Sequence, residues 1–341
     1  MKRYIYIASY QSIFMLLYES LQHSGSVVGL VRNEKMVTLL TYLQIEYIRL
    51  PEFSDSDWLN PCRLPRMKKM VKEFARNLEY ESLLIFTHNA YDVFGFLLAA
   101  TYSQMGYKVY FKELDPPRER IRNSFMLRCN CRLLYRIILL RLLKGITKVR
   151  ELVILDIQPP TFGIDEAFRQ AYHIQEPNGL TDDFMDERNQ VIFHYAQPTY
   201  GKKILWVADL VSGLVPFLEK GSLEDLFARF IGDIAVKIHP RENQPTFYDG
   251  AEQLCSEMPA EFFFPNVSVV VSVASAALLQ ASLRPDLVAI ALIDLLKWKD
   301  SNMKVAQKRF LVNGAVRGRL FFPERLEELA AMLNTFGIAF Q

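Results

Sequence analysis

Short apolar runs alternate with helical patterns through both halves of the chain, and this alternation constrains the fold more than any other feature. Several runs are almost continuously apolar, such as SLLIFTH at 82–88 and LVAIALI at 287–293. Continuous apolar strands separated by helices are typical of a parallel sheet that helices cover on both faces. The other predicted strands are 3–9, 26–32, 45–51, 108–114, 202–210, 233–240, 267–273 and a strand end near 319. The predicted helices are 11–22, 36–43, 67–78, 94–105, 222–232, 274–283 and a closing helix that reaches 336.

A chain of 341 residues is longer than one hydrophobic core usually supports, so we expect two domains. The stretch 156–200 is rich in Pro, Gln, Asp and Asn, which is typical of a linker with irregular or helical pieces. We therefore predict an α/β protein of two Rossmann-like domains, 1–195 and 196–341, that face each other across a cleft. Ligands in such folds bind at the carboxyl ends of the strands.

Composition narrows the function classes. Half of the residues are hydrophobic and the net charge is only +2, so a nucleic-acid partner is not expected. The four cysteines are scattered without a CxxC pair, which favours reduced thiols and a cytoplasmic location. No apolar stretch approaches the ~20 residues of a membrane span. Motifs for a dinucleotide, a P-loop, a zinc protease, calcium or a nucleophilic serine are missing, so we expect neither a metal nor a cofactor.

The stretch VKIHPRE at 236–242 is the first candidate site. It places His239 and Pro240 at the carboxyl end of a predicted strand, with Lys237 and Arg241 on either side. A protonated histidine held next to a proline suits a phosphate clamp or a general acid for a departing phosphate. The alternative is a histidine that only caps a turn.

The stretch SVVVSVASAAL at 268–278 is the second candidate, at the next strand end of the same half. Ser272 and Ser275 precede a helix, and serine hydroxyls with free N–H groups at a helix start form an anion site. The alternative is ordinary capping.

Two further turns follow strands in the first half. The acidic pair Glu113 and Asp115 could supply a general base that takes a proton from an acceptor hydroxyl, and the alternative is a solvated turn. Ser9 and Gln11 lie in the first strand-to-helix turn and are predicted to bind the donor, and the alternative is a capped helix start.

The order of these pieces resembles the bacterial GT-B sialyltransferases of lipooligosaccharide and capsule synthesis. Ser9-Tyr10-Gln11, His239-Pro240 and the serines from Ser272 to Ser275 match that family's motifs, whereas Leu114 splits the expected acidic pair. The resemblance implies an inverting, metal-independent transfer of a sialic acid or related nonulosonic acid from a CMP-sugar to a surface glycan or glycolipid. In that mechanism Asp115 or Glu113 is the base, with Asp115 preferred. His239, helped by Lys237, stabilises the departing CMP phosphate, and Ser272 and Ser275 hold it.

A basic stretch follows the acidic pair. Residues 118–150 contain ten Lys or Arg and one acid, with Leu and Ile between the charges. This pattern predicts a basic amphipathic helix that lies on an anionic membrane surface, which suits a peripheral enzyme of the inner membrane. The alternative is an apolar core helix whose arginines reach the surface.

Two other functions remain open on sequence grounds. One is another HP-motif transferase of capsule assembly, for a Kdo or a polyol-phosphate group. The polyol-phosphate enzymes have a second histidine motif, and no histidine follows His239 here. The other is a non-catalytic glycan- or nucleotide-binding subunit that has lost its base, which the split acidic pair would explain.

Overall fold

The chain forms two compact α/β units, Met1–Val191 and Ile192–Gln341. A computed structural model describes residues 1–7, 13–51, 63–79, 82–86, 93–111, 184–208, 227–239, 250–296, 298 and 301–338. The sequence predicts the division a few residues later, between 195 and 196. Each unit contains one sheet, and every strand pair between the described strands is parallel.

The sheet of the first unit has five strands in the order β3-β2-β1-β4-β5. These strands are β1 Arg3–Ile7, β2 Val27–Val31, β3 Tyr47–Arg49, β4 Leu83–Phe86 and β5 Lys108–Phe111. Helices α1 Ile13–Gln22, α2 Glu34–Tyr42, α3 Leu64–Arg76 and α4 Val93–Gln104 connect them. Helix α5, Phe184–His194, contains the division between the two units and lies in the range predicted as a linker with helical pieces.

The sheet of the second unit has six strands in the order β11-β10-β9-β6-β7-β8. The strands are β6 Ile204–Val207, β7 Ile234–Lys237, β8 Glu252–Leu254, β9 Val269–Ser272, β10 Val288–Ala291 and β11 Leu320–Phe321. Its helices are α6 Ala276–Ser282, α7 Ser301–Gly314 and α8 Leu326–Ile338, with 3-10 turns at Ala260–Asn266 and Leu292–Asp294.

Both sheets share one topology. In each, the chain starts at an inner strand, moves outward on one side and then returns to fill the other side. This is the strand order 3-2-1-4-5 or 3-2-1-4-5-6 of nucleotide-binding Rossmann folds. The predicted class, two parallel α/β units, is confirmed.

Each sheet carries its own core because the strands are apolar on both faces. Residues of β2, β6, β7 and β9 are buried at every position. Gly29 in β2 shows how closely helices pack on the first sheet. A Cβ atom there would lie 3.0 Å from Leu16 Cδ2 of α1 and 3.1 Å from Leu40 Cδ1 of α2. The glycine thus lets two helices approach the same strand.

Some elements were not predicted. They are β8, the 3-10 turn at Ala260–Asn266 and helix α7, whose apolar residues follow no core-facing stripe. In the part of the chain that the structure covers, no helix combines the length and apolar character that crossing a membrane requires.

Candidate functional site

The carboxyl end of the second sheet contains the point where the strand order reverses. The chain runs outward from β6 through β7 to β8, then returns to the other side of β6 to place β9. In open parallel sheets a crevice forms outside the strand ends at such a reversal, and ligands bind there. The ends of β6 and β9 therefore mark the expected ligand position in this unit.

A buried serine joins these two strand ends. Ser272, the last residue of β9, is fully buried, and its Oγ donates a hydrogen bond of 2.7 Å to the carbonyl oxygen of Val207, the last residue of β6. A hydroxyl has one hydrogen to donate. In this conformation Ser272 therefore joins the ends of β6 and β9 and has no second hydrogen for a phosphate.

His239 lies two residues beyond the end of β7, the neighbour of β6 on its other side, and is half-buried. The amide of Ala208 donates a 2.9 Å hydrogen bond to Lys237 O, so β6 and β7 end at the same level. With β6 between them, the ends of β7 and β9 lie about 10 Å apart at the usual strand spacing. A nucleoside monophosphate is long enough to span that width.

Lys237 is buried, with 4% of its surface exposed. Its Nζ donates to Ile238 O at 2.8 Å and to Ser256 O at 2.9 Å. A buried ammonium is tolerated only when such hydrogen bonds replace water. Lys237 thus ties the segment beside His239 to the segment that follows β8, and it contributes positive charge without being displayed at the surface.

Ser275 differs from Ser272 in how it uses its hydroxyl. It is the N-cap of α6, is half-buried, and its Oγ accepts a 3.3 Å hydrogen bond from the amide of Ala277. Accepting this bond occupies a lone pair and does not use the hydroxyl hydrogen. Ser275 can therefore cap its helix and donate to an anion at the same time.

The structure brings Lys237, His239, Ser272 and Ser275 to one end of one sheet. The other predicted site residues lie outside the described residues, namely Ser9, Gln11, Glu113, Asp115 and Pro240, together with the basic stretch 118–150. β1 ends at Ile7 and β5 ends at Phe111, so each described strand stops two residues before a predicted site residue. The roles predicted for the residues of both groups remain predictions.

A charged cluster that the sequence analysis missed lies at the carboxyl end of β10. Asp294 Oδ1 is 3.0 Å from Lys304 Nζ, and its Oδ2 is 2.5 Å from Lys308 Nζ, both from α7. Burial alone would raise the pKa of Asp294, but the hydrogen bonds and charges of the two lysines hold that pKa below its usual range. In the sequence, this cluster could have been suspected from Asp294, whose carboxylate follows directly after an apolar strand.

The described residues contain no group of three or more His, Cys, Asp or Glu side chains arranged to hold a metal ion. The candidate site is thus made of cationic, hydroxyl and imidazole groups, which suit a phosphate-bearing ligand.

No protein-family model and no curated protein sequence matches this chain. Among solved structures it is similar to a UDP-GlcNAc 2-epimerase from Neisseria meningitidis, with a TM-score of 0.48, 10% identity, and coverage of 98% of this chain and 91% of that one. It is also similar to the glycotransferase of kitacinnamycin, with a TM-score of 0.46, 10% identity, and coverage of 98% of this chain and 90% of that one. For the E. coli heptosyltransferase WaaC the TM-score is 0.43 and the identity 14%, with coverage of 98% of each chain. These TM-scores lie below 0.5, so the three similarities establish neither a family nor a function.

Proposed function

We propose that this chain is a glycosyltransferase of the two-domain GT-B type that uses a CMP-activated nonulosonic acid as its donor. The observation that carries the proposal is the position of His239, one strand from the point where the second sheet reverses its order. A nucleotide bound at that point would place its phosphate between the ends of β7 and β9.

The donor side of the reaction rests on residues with distinct tasks. His239 at the end of β7 would stabilise or protonate the phosphate as the sugar leaves. The Ser275 hydroxyl would donate to a phosphate oxygen. Ser272 would hold the ends of β6 and β9 in register through its 2.7 Å bond to Val207 O. Lys237 would fix the segment beside His239 and add positive charge, because its Nζ is already bonded to Ile238 O and Ser256 O.

The transfer itself is a single displacement. The acceptor hydroxyl oxygen attacks the anomeric carbon of the nonulosonic acid, and the bond from that carbon to the CMP phosphate oxygen breaks. The hydroxyl proton passes to Asp115 or Glu113. CMP departs with the bonding electrons, and the charge on its phosphate is what the groups around His239 would stabilise. No step of this displacement requires a metal ion, and we propose none.

Calorimetric titration of CMP into the full chain, without added metal, tests the donor class. We expect CMP to bind more tightly than UMP or GDP, and His239→Ala to weaken CMP binding about ten-fold, as loss of a hydrogen bond to a charged group does. His194→Ala is the matched control. His194 is exposed at the end of α5, in the same unit, and precedes the amino end of β6.

The possible results separate the alternatives. Equal binding of all three nucleotides, or equal effects of the two histidine variants, would contradict a CMP site at His239. If CMP binds as expected, incubation with CMP-sialic acid, CMP-Kdo and CDP-glycerol then identifies the transferred group by which donor is consumed. If CMP binds but none of these donors is consumed, the chain is a binding subunit rather than an enzyme. Unchanged turnover in both Asp115→Ala and Glu113→Ala would instead place the base on another residue.

A further inference from the structure

Helix α3 carries a concentration of positive charge that the proposed reaction does not use. Its residues Leu64–Arg76 include five Lys or Arg and one acid, a net charge of +4. The whole chain has a net charge of +2, so the remaining residues together carry +2 minus +4, or −2. The positive charge is therefore concentrated in local segments, on this helix and in the basic stretch 118–150.

The helix separates its apolar and cationic residues onto opposite faces. Met67, Val71, Ala75 and the following Leu78 are buried in the core of the first unit at helical spacing. The cations all lie on the exposed surface. They are Arg66, Lys68, Lys69, Lys72 and Arg76. Lys69 keeps 77% of its side chain exposed even though it lies 3.8 Å from Glu73.

The cations form a row rather than a pocket. Arg66, Lys69, Lys72 and Arg76 recur every three or four residues, so they lie along one side of the helix. At the helical rise the row is about 15 Å long. A single phosphate would need cations that converge on one point, whereas a row matches an extended anionic surface. The one aromatic residue of the helix, Phe74, is half-buried and packs against the core of the first unit, so α3 presents no fully exposed ring on which a nucleic-acid base could stack.

We propose that the outer face of α3 docks the protein on an anionic phospholipid bilayer. Clusters of four to eight Lys or Arg on an amphipathic helix suit such a surface, and each one strengthens binding about five-fold near an anionic membrane. The buried face of α3 stays in the core of the first unit, so the contact is electrostatic and does not require the helix to leave its place. This proposal does not depend on which reaction the chain catalyses.

Co-sedimentation of the full chain with vesicles tests the proposal. The vesicles are phosphatidylcholine alone or phosphatidylcholine mixed with phosphatidylglycerol. We expect binding to the mixed vesicles only, weakening as salt increases. The variant R66Q/K69Q/K72Q/R76Q should bind at least about twenty-fold more weakly.

The matched control is K108Q/R229Q/R309Q/R317Q, which removes four exposed cations elsewhere. Both variants have a net charge of +2 minus 4, or −2, and both leave 118–150 unchanged. A difference in vesicle binding between the two variants therefore reflects neither net charge nor the stretch 118–150. Unchanged urea midpoints would show that each variant is folded. Equal losses in both variants would overturn the proposal in favour of a net-charge effect, as would a wild-type chain that does not bind mixed vesicles. Binding of an RNA oligonucleotide through α3 without vesicle binding would also overturn it, in favour of a different partner.

Discussion

The two serines of the candidate site give the sharpest prediction, because the structure assigns their hydroxyl hydrogens differently. Ser272 donates its hydrogen to Val207 O, whereas Ser275 accepts a bond from Ala277 N. Replacing either with alanine removes one hydrogen bond that stabilises the second unit. Only Ser275→Ala also removes a hydroxyl hydrogen that its capping bond leaves unused and that we propose is donated to the phosphate.

The expected magnitudes follow from these contacts. Ser272→Ala removes a buried hydrogen bond and should lower the free energy of unfolding by about 1 kcal/mol. Ser275→Ala removes an N-cap and should cost about the same. For a unit of about 150 residues, 1 kcal/mol lowers Tm by about 3 °C. In CMP titrations, Ser275→Ala should weaken binding about ten-fold, since bonds to charged groups are worth more than neutral ones. Ser272→Ala should leave the affinity within about two-fold.

Ser282→Ala is the control for this pair. Ser282 is fully buried at the other end of α6, and its Oγ donates to Leu279 O at 2.8 Å. Because the Ser282 Oγ also accepts a 3.2 Å hydrogen bond from Val316 N, this variant should lose at least as much stability as Ser272→Ala, and it should bind CMP like the wild type. If Ser272→Ala weakens CMP binding as much as Ser275→Ala while Ser282→Ala does not, the Ser272 hydroxyl must turn to the phosphate, and the assignment of Ser272 to the two strand ends is refuted.

Two further predictions concern stability alone. Gly29→Ala should lower the free energy of unfolding by about 1–3 kcal/mol, because the new methyl group meets Leu16 and Leu40 at about 3 Å, and urea unfolding would show it. Asp294→Asn should destabilise the chain near neutral pH. The folded pKa of Asp294 is depressed, so its stabilising effect is full above its ordinary pKa and is lost as pH falls through the folded value. Urea midpoints of the wild type and the variant should therefore converge in acid, and a gap that stays constant down to low pH would contradict the ion cluster.

The sequence predicted the parallel sheets well because their strands are buried on both faces. A run such as VAIA in β10 or ILWV in β6 has no polar position that could face water, and the pattern shows this directly. The positions of His239, Ser272 and Ser275 at strand ends followed from the same pattern, since each comes at the end of an apolar run. Strand boundaries differ by up to three residues, because the predicted runs include residues of the flanking turns.

Helix α7 shows why some helices and strands could not be predicted from the sequence. Val305 and Val312 are 65% and 53% exposed, while Leu311 is fully buried. A helix that exposes its valines does not show the apolar stripe on which sequence prediction depends. β8 is a short edge strand, EQL, with a single buried residue, and such a strand has no distinguishing pattern.

The side-chain partners at the site could not be predicted for a different reason. Val207 precedes Ser272 by 65 residues, and Ser256 follows Lys237 by 19 residues. The first pair meets because β9 pairs with β6, and the second because β8 pairs with β7 in the folded sheet. Lys237 and His239 are two residues apart and were predicted to act on the same phosphate. The fold gives Lys237 two backbone carbonyls as partners, which the sequence could not show, and its role at the phosphate stays a prediction.

The binding and catalytic steps of the proposed reaction can be tested separately, because their predicted residues belong to different units. Lys237, His239 and Ser275 belong to the second unit, whereas Glu113 and Asp115 belong to the first. Substitutions in the second unit should weaken CMP binding, and substitution of the catalytic base should abolish turnover with CMP affinity unchanged. Because the base takes a proton only during transfer, Asp115→Asn should retain wild-type CMP affinity. Lost turnover in Asp115→Asn, with full turnover in Glu113→Gln, would assign the base to Asp115. The reverse pattern would assign it to Glu113, and weakened CMP binding in either variant would show that the carboxylate contacts the donor instead.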